Sequence, residues 1–507
     1  MKLFFRTLSV FAIFLASSIV PEMQAQHLVI LSTNDTHSQI DPSTDDMGGI
    51  LRRRAAFDKV RSENEHVICV DAGDVVQGTV FFSLYRGEVE YACLDSLGYD
   101  INILGNHEFD NGLDELADYY SRLHTTPLSA NYDFSGTKLE NIFKPYTIRD
   151  IDGKKVAFVG INVEPAGLIS TKNYIGMRYI PCDKVADATA HYLKSVLGVD
   201  FVVMITHIGY ESIDAGAPVD PVIVANSHDI DLLIGGHSHT LIKPEMAESH
   251  VTNADGKSIV IGQNGKSGKY IGRYDVNLAT GEVVYSQIAI DKSLDADAAR
   301  YTDMNRWLNR YREGVDSLMN NVIGKSNRTM VNREIAAQNW LTDAVLEILP
   351  GISGVKKIDA VIMNKGGIRA DMPKGDVTEG LMMSMFPFDN RFVVMELSGA
   401  DLLEALNVMA SRGGDAVSKG LKVEFNKDGK VTSAKLNGKK IDPKKSYVIG
   451  TIDYLANGGD YMVPLTRGNR LFVDDVKYGD YIVDYVKDLT AKGKVIDAGD
   501  EARMVQK

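Results

Sequence analysis

Three cysteines in 507 residues are too few for a disulfide scaffold, and Cys69, Cys93 and Cys182 leave room for at most one bridge. Cys69 lies inside the apolar run HVICV, the setting of a buried small residue rather than a ligand. So few thiolates disfavour iron–sulfur clusters and structural zinc. The chain also lacks a net positive charge. Its formal net charge of −13 argues against a partner that is a nucleic-acid polymer, whose phosphates call for a basic face. Any phosphate bound here must be held by local cations. No low-complexity run and no tandem repeat is visible. The apolar stretch from Leu8 to Val20 falls short of the ~20 residues of a membrane span. It follows Lys2 and Arg6 and precedes small and polar residues, the layout of a secretory signal. Residues 1–25 are therefore expected to be removed near Ala25, with export to a periplasm or beyond the cell. No stable membrane span remains after cleavage, and no cysteine lies in that segment for a lipid.

What is present is the composition of a soluble globular protein, 44% hydrophobic and 24% charged, long enough for two domains. The apolar runs LVILS, VICVD, INILG, KVAFVG, FVVMIT and IDLLIGG alternate with helical segments and predict buried strands of an α/β domain over residues 26–293. From Asp295 to about Asn321, apolar residues at Tyr301, Met304, Trp307, Leu308, Tyr311, Val315 and Leu318 recur in steps of three and four. This predicts one long connector helix over 294–324, with Asp295 as its cap. A helical stretch QNWLTDAVLEIL, the strand DAVIMN and the loop KGGIR then open a second α/β domain, 325–507.

Polar residues cluster just after the first-domain strands, where open α/β sheets bind ligands. They are Asp35 and His37 in TNDTH, Asp74 in DAGD, Asn106 and His107 in GNHEFD, His207 in THIG, and His237 and His239 in GGHSH. Each motif alone is weak. Together, five of the eleven histidines follow apolar strands in the company of carboxylates. Imidazole, carboxylate and amide oxygen suit borderline divalent ions such as zinc, manganese or cobalt. Two such ions can generate hydroxide near neutral pH and neutralise a phosphoryl group.

These residues resemble the calcineurin-like metallophosphoesterase pattern D-x-H, GD, GNH(D/E), H, GHxH. The resemblance implies a β-sandwich flanked by helices. It implies Asp35, His37 and His239 on one metal, Asn106, His207 and His237 on the other, and Asp74 bridging. It also makes His107 the group that assists the leaving oxygen and Asp110 the carboxylate that orients it, with Glu108 in a supporting role.

The second half narrows the substrate. NKGGIRADMPKGDVT, MFPFDN and TIDYLANGGD, together with LSANYD, resemble the 5′-nucleotidase and UDP-sugar hydrolase family. Arg369 beside a glycine pair offers a donor fork suited to phosphate, and Phe388 and Tyr454 offer faces on which a base can stack. The resemblance assigns Arg369 to the phosphate, Phe388 and Tyr454 to the base, and Asn390 and Asp460 to the nucleoside. Two departures from the family pattern stand out. In REIAAQNWLTDA, Ala336 and Gln338 replace the usual Asn and Gly, leaving Arg333 only a weak phosphate contact. Lys365 and Tyr461 occupy positions that are small in relatives. The expected activity is hydrolysis of a nucleoside 5′-monophosphate substrate, with UDP-sugars as further substrates, by attack of metal-generated hydroxide. The alternatives are a 2′,3′-cyclic-nucleotide 2′-phosphodiesterase/3′-nucleotidase or a non-catalytic nucleotide-binding surface protein. The sequence leaves the oligomeric state open.

Overall fold

In a computed structural model the described residues are 26–212 and 217–507, so the predicted signal segment lies outside the described residues. The strand-and-helix alternation folds as expected in the first half. Strands His27–Thr33, Val67–Asp71, Ile101–Ile103 and Thr126–Leu128 pair in parallel, and the antiparallel strands Tyr270–Asn277 and Glu282–Ala289 complete a six-stranded sheet. A second six-stranded sheet is built around Lys154–Asn162, Phe201–His207, Leu232–Ile234 and Ser258–Gly262, again parallel. The runs that looked apolar on both faces are so because each strand is covered twice. One face meets the other sheet through Ile30, Val70, Phe158 and Val203. The other faces meet helices: Ile50–Glu63 and Glu88–Ser96 cover the first sheet, and Cys182–Ser195 covers the second. This is the β-sandwich flanked by helices. Because the parallel strands of both sheets run the same way, their carboxyl ends gather at one rim.

The connector differs from expectation. The helix spans Thr302–Asn320, and Asp295 belongs to a separate single turn, Asp295–Ala298. Asp295 does not cap this helix; its carboxylate accepts two hydrogen bonds from Arg52, at 2.7 and 3.2 Å. Asp291 caps the preceding turn instead, accepting from the Ser293 amide at 2.9 Å. The three-and-four spacing survives: Met304 and Leu308 are buried, and Trp307, Tyr311 and Val315 pack beside them on the first sheet's helical layer.

The second half forms a five-stranded sheet in the spatial order Ala416–Val417, Ala360–Met363, Ser446–Ile452, Arg391–Ser398, Asn469–Lys477. Helices Ile335–Ser353, Gly399–Ser411 and Tyr478–Ala491 pack against it, and a four-stranded sheet lies alongside. Cys69, Cys93 and Cys182 are buried and free, so the one permitted bridge does not form among them. No helix of the described residues is long and apolar enough to cross a membrane.

One buried carboxyl makes stability pH-dependent. Glu90 is 2% exposed and accepts from the Ser38 hydroxyl, joining the loop after the first strand to helix Glu88–Ser96. Burial pushes it from its ordinary value of 4.5 up to about 7, against the opposing Ser38 hydrogen bond. A folded value above the unfolded one stabilises the protein while the group is protonated. That contribution is lost as pH rises from about 4.5 to about 7. Glu90→Gln keeps a hydrogen-bonding group and removes the charge. The variant is expected to match the parent at pH 5 and to exceed it at pH 8 by on the order of 2 kcal/mol, read as a higher Tm.

Candidate metal centre and nucleotide cavity

The seven predicted ligands converge at the strand rim. Asp35 and His37 follow His27–Thr33, Asp74 follows Val67–Asp71, Asn106 follows Ile101–Ile103, His207 ends its own strand, and His237 and His239 follow Leu232–Ile234. Three overlapping groups form, each with donor atoms within 4.8 Å of one another: Asp35, His37 and His239 in the first, Asp74, His207 and His237 in the second, and His37, Asp74 and His107 in a third that links them. His37 Nε2 lies 2.9 Å from His239 Nε2, and His237 Nδ1 lies 2.9 Å from the Asn106 amide oxygen. Asp74 sits between the groups, its Oδ2 3.2 Å from His207 Nε2 and 3.9 Å from His37 Nε2.

The backbone is bent to achieve this. Asp35, His37, Asp74, His237 and His239 all have left-handed φ, between 47° and 80°. Non-glycine residues rarely adopt that conformation, and it concentrates at functional sites. Gly105 makes the approach possible: a Cβ there would meet Asp74 Oδ1 at 2.2 Å. Glu108 secures the same corner. Its carboxylate accepts the amide hydrogens of Asp74 (3.0 Å), Val75 (2.8 Å) and Gly105 (2.5 Å), clamping two strand-end loops together.

These side chains fit divalent ions. His207 is fully buried, its Nδ1 faces the Ala72 carbonyl at 2.7 Å, and its Nε2 makes no hydrogen bond although it points at Asp74. An imidazole oriented through one nitrogen, with the other aimed among carboxylates, is the usual arrangement of a metal ligand. The field agrees. Burial alone would lower the His207 pKa, but Asp74 and Asp35 outweigh it and push the group up to about 10. Burial raises the Asp35 carboxyl, but His239 and His207 hold it down to about 2. The cluster favours positive charge at its centre.

His107 and Asp110 stand beside it. His107 Nδ1 is 3.0 Å from Asp110 Oδ2, and its backbone amide donates to Asp74 Oδ1 at 2.9 Å. Burial lowers the His107 pKa, but Asp110 and Asp74 outweigh it and the net shift is upward.

Beyond lies a cavity of about 410 Å³ walled by both halves of the chain. Arg369, Phe388, Asn390, Tyr454 and Asp460 all line it, as the sequence predicts. Phe388 and Tyr454, the two residues expected to hold a base, have different surroundings. Phe388 lies nearly parallel to His107, ring centres 5.9 Å apart, with the Arg369 guanidinium 5.7 Å from the Phe388 ring centre. The Tyr454 hydroxyl reaches the Gly167 carbonyl of the first half at 2.9 Å and Asp460 Oδ1 at 3.0 Å. Burial, and then Arg333, push the Arg369 pKa down to about 10, leaving a strongly cationic corner suited to an anion.

Four further residues stand on the wall, of which the sequence singles out only Arg333. Arg333 reaches the cavity despite Ala336 and Gln338, because Gln338 Nε2 donates to the Arg333 carbonyl at 2.6 Å and holds that turn, φ 61°. Asn364 presents a buried amide oxygen that makes no hydrogen bond. Arg412 pairs with Asp460 at 2.9 Å. Lys172, on the first half, reaches Asp453 on the second at 3.2 Å. The halves meet again at Arg369–Gln77 (3.2 Å) and Arg86–Asp389 (3.4 Å). Arg412 precedes Gly413–Gly414, a basic residue beside a glycine pair as at Arg369, which is a signal that could have found it. The family departures also gain a structural meaning: a Cβ on Gly167 would meet the Tyr461 ring at 2.9 Å, so Tyr461 packs on the first half's loop.

Comparison with known proteins follows the same division. A family model for calcineurin-like phosphoesterase matches residues 28–241, and one for the 5′-nucleotidase C-terminal domain matches 317–466. The trifunctional nucleotide phosphoesterase protein of Bacillus subtilis is 28% identical over 536 residues, covering 94% of this chain, which spans 35% of that longer protein. The 5′-nucleotidase of Diplobatis ommata is 26% identical over 541 residues, 94% of this chain and 89% of its own length. The crystal structure of a 5′-nucleotidase precursor from Thermus thermophilus superimposes with a TM-score of 0.82 at 27% identity, covering 95% of this chain and 99% of that one. With both halves matched in order along one chain, and both lining the cavity beside a first-half cluster suited to two metals, the protein belongs to the 5′-nucleotidase family of metal-dependent phosphoester hydrolases.

Proposed function

We propose that the protein is an exported 5′-nucleotidase that hydrolyses nucleoside 5′-monophosphates to nucleoside and phosphate, with UDP-sugars as further substrates. The observation that carries this reading is that the ligand cluster and the aromatic wall of Phe388 and Tyr454 border one cavity, so a single small molecule can span them. In this reading the domains are 26–293 and 325–507, joined over 294–324, and the leader 1–25 directs export.

Asp35, His37 and His239 would hold one ion, Asn106, His207 and His237 the other, and Asp74 both. Zinc, manganese or cobalt suits this donor set, and such ions activate water and neutralise phosphoryl charge when bound. The chain's own groups do the rest. Arg369 and Arg333 grip the phosphate oxygens. Phe388 and Tyr454 hold the base, and Asn390 and Asp460 the rest of the nucleoside. Asp110 fixes the His107 ring through Nδ1, which leaves Nε2 to carry a proton to the departing nucleoside oxygen. The Tyr454–Gly167 contact joins the two halves at the cavity wall and helps to limit water there.

The test is phosphate release from AMP on metal-analysed protein, with and without added manganese or zinc. Release that depends on the metal is the expected result. No release from AMP, UDP-glucose or 2′,3′-cyclic AMP with any of these metals would overturn the reading.

A further inference from the structure

The nucleoside end of the cavity holds a cation that phosphate binding does not use. Arg412 lies on the wall formed by the second half, with Lys365 and Tyr454. Its Nη1 contacts Asp460 twice, Oδ2 at 2.9 Å and the carbonyl oxygen at 3.1 Å. Neither Nε nor Nη2 donates a hydrogen bond among the described residues, and no carboxylate there other than Asp460 pairs with the guanidinium. The guanidinium is therefore anchored at one corner, with the two donors of its opposite edge uncommitted.

The anchor fixes where that edge lies. Asp460 is buried, with a left-handed φ of 54°, and its other oxygen is 3.0 Å from the Tyr454 hydroxyl. One carboxylate thus ties Arg412 to the rim of the Tyr454 ring. The loop beneath is tied as well. Lys365 Nζ donates to the Gly414 carbonyl at 2.7 Å, and the Lys365 amide donates to Asp415 Oδ1 at 2.7 Å. The unusual Lys365 thereby braces the turn that presents Arg412. A base stacked on the Tyr454 face would direct an edge toward this guanidinium.

We infer that Arg412 is a specificity-determining residue that reads the base, selecting 6-oxopurine nucleotides, GMP and IMP, over AMP. The inference rests on the nucleotidase reading above and adds the base to it. The parallel Nε–H and Nη2–H donors match two adjacent acceptors. Guanine and hypoxanthine present O6 and N7 side by side, whereas adenine replaces the first acceptor with an amino donor. A donor then faces a donor, and one contact is lost with a desolvation cost.

Steady-state kinetics with AMP, GMP and IMP, at one fixed metal, test this on the full chain and on Arg412→Lys, which keeps the charge opposite Asp460 but not the fork. For the parent protein, kcat/KM is expected to favour GMP and IMP over AMP by about tenfold or more, the discrimination of a bidentate base contact. In Arg412→Lys that preference falls toward unity, mainly through KM for the 6-oxopurine nucleotides. Equilibrium binding of guanosine and adenosine to metal-free protein should show the same preference and the same loss. Equal parent kcat/KM for AMP and GMP, or a preference that Arg412→Lys leaves intact, would overturn the inference while leaving the nucleotidase reading in place. Absence of phosphate release from all three substrates overturns the nucleotidase reading, and the inference falls with it.

Discussion

Asp74→Asn is expected to lower phosphate release by about a thousandfold and to lower the bound metal from two ions per chain. The reason lies in the position of the carboxylate, which faces His207 on one side and His37 on the other. A neutral amide can still accept the His107 backbone hydrogen that Asp74 Oδ1 accepts at 2.9 Å, so the loop should keep its shape. What it cannot supply is the negative charge that the proposed bridging role requires. Losing one ion removes several kcal/mol of transition-state stabilisation, which corresponds to about three orders of magnitude in rate. Metal analysis beside the rate separates this explanation from unfolding. Two ions bound and near-full turnover in Asp74→Asn would contradict the bridging role.

The second large effect concerns His107. Its alanine variant should lose about 10²- to 10⁴-fold in kcat with AMP, the usual worth of a positioned proton donor. The loss should be far smaller with p-nitrophenyl phosphate, whose leaving group departs without a proton. Metal content should not change, because His107 is assigned to the leaving group. In the proposed role the Asp110 carboxylate acts through that ring, at 3.0 Å, so Asp110→Asn is expected to show a smaller loss with the same dependence on leaving group. Equal losses of His107→Ala on both substrates would remove the proton-donor role.

Much of the site was legible before folding because its parts obey local rules. An apolar strand followed at once by Asp, His or Asn is visible in any single stretch, and parallel strands bring such ends to one rim. The strand positions, the sandwich and the convergence of Asp35, Asp74, Asn106, His207 and His237 follow from that. Long-range packing was not legible. Nothing near Glu108 in sequence indicates that it clamps the amides of Asp74 and Val75, more than thirty residues away. The position of Arg333 on the cavity wall is not legible either, because its neighbours depart from the family pattern and Gln338 donates to its carbonyl by a bond that pattern does not contain. Asp295 was misread for a related reason. The apolar period continues through Tyr301, but a carboxylate that pairs with Arg52 is not available to cap a helix. The left-handed bends at five ligand positions belong to neither local propensity nor periodicity, and only the assembled rim enforces them.

The contacts that join the two halves carry a kinetic consequence. Lys172–Asp453 and Arg86–Asp389 are charge pairs at the cavity mouth, and both include exposed partners. Dissolved ions weaken such pairs, with a Debye length of about 8 Å at physiological ionic strength. If the escape of the nucleoside requires the halves to part, added salt should accelerate turnover at saturating substrate while leaving the chemical step alone. Ionic strength would in that case act on the rate of product release, through side chains assigned to neither metal nor phosphate.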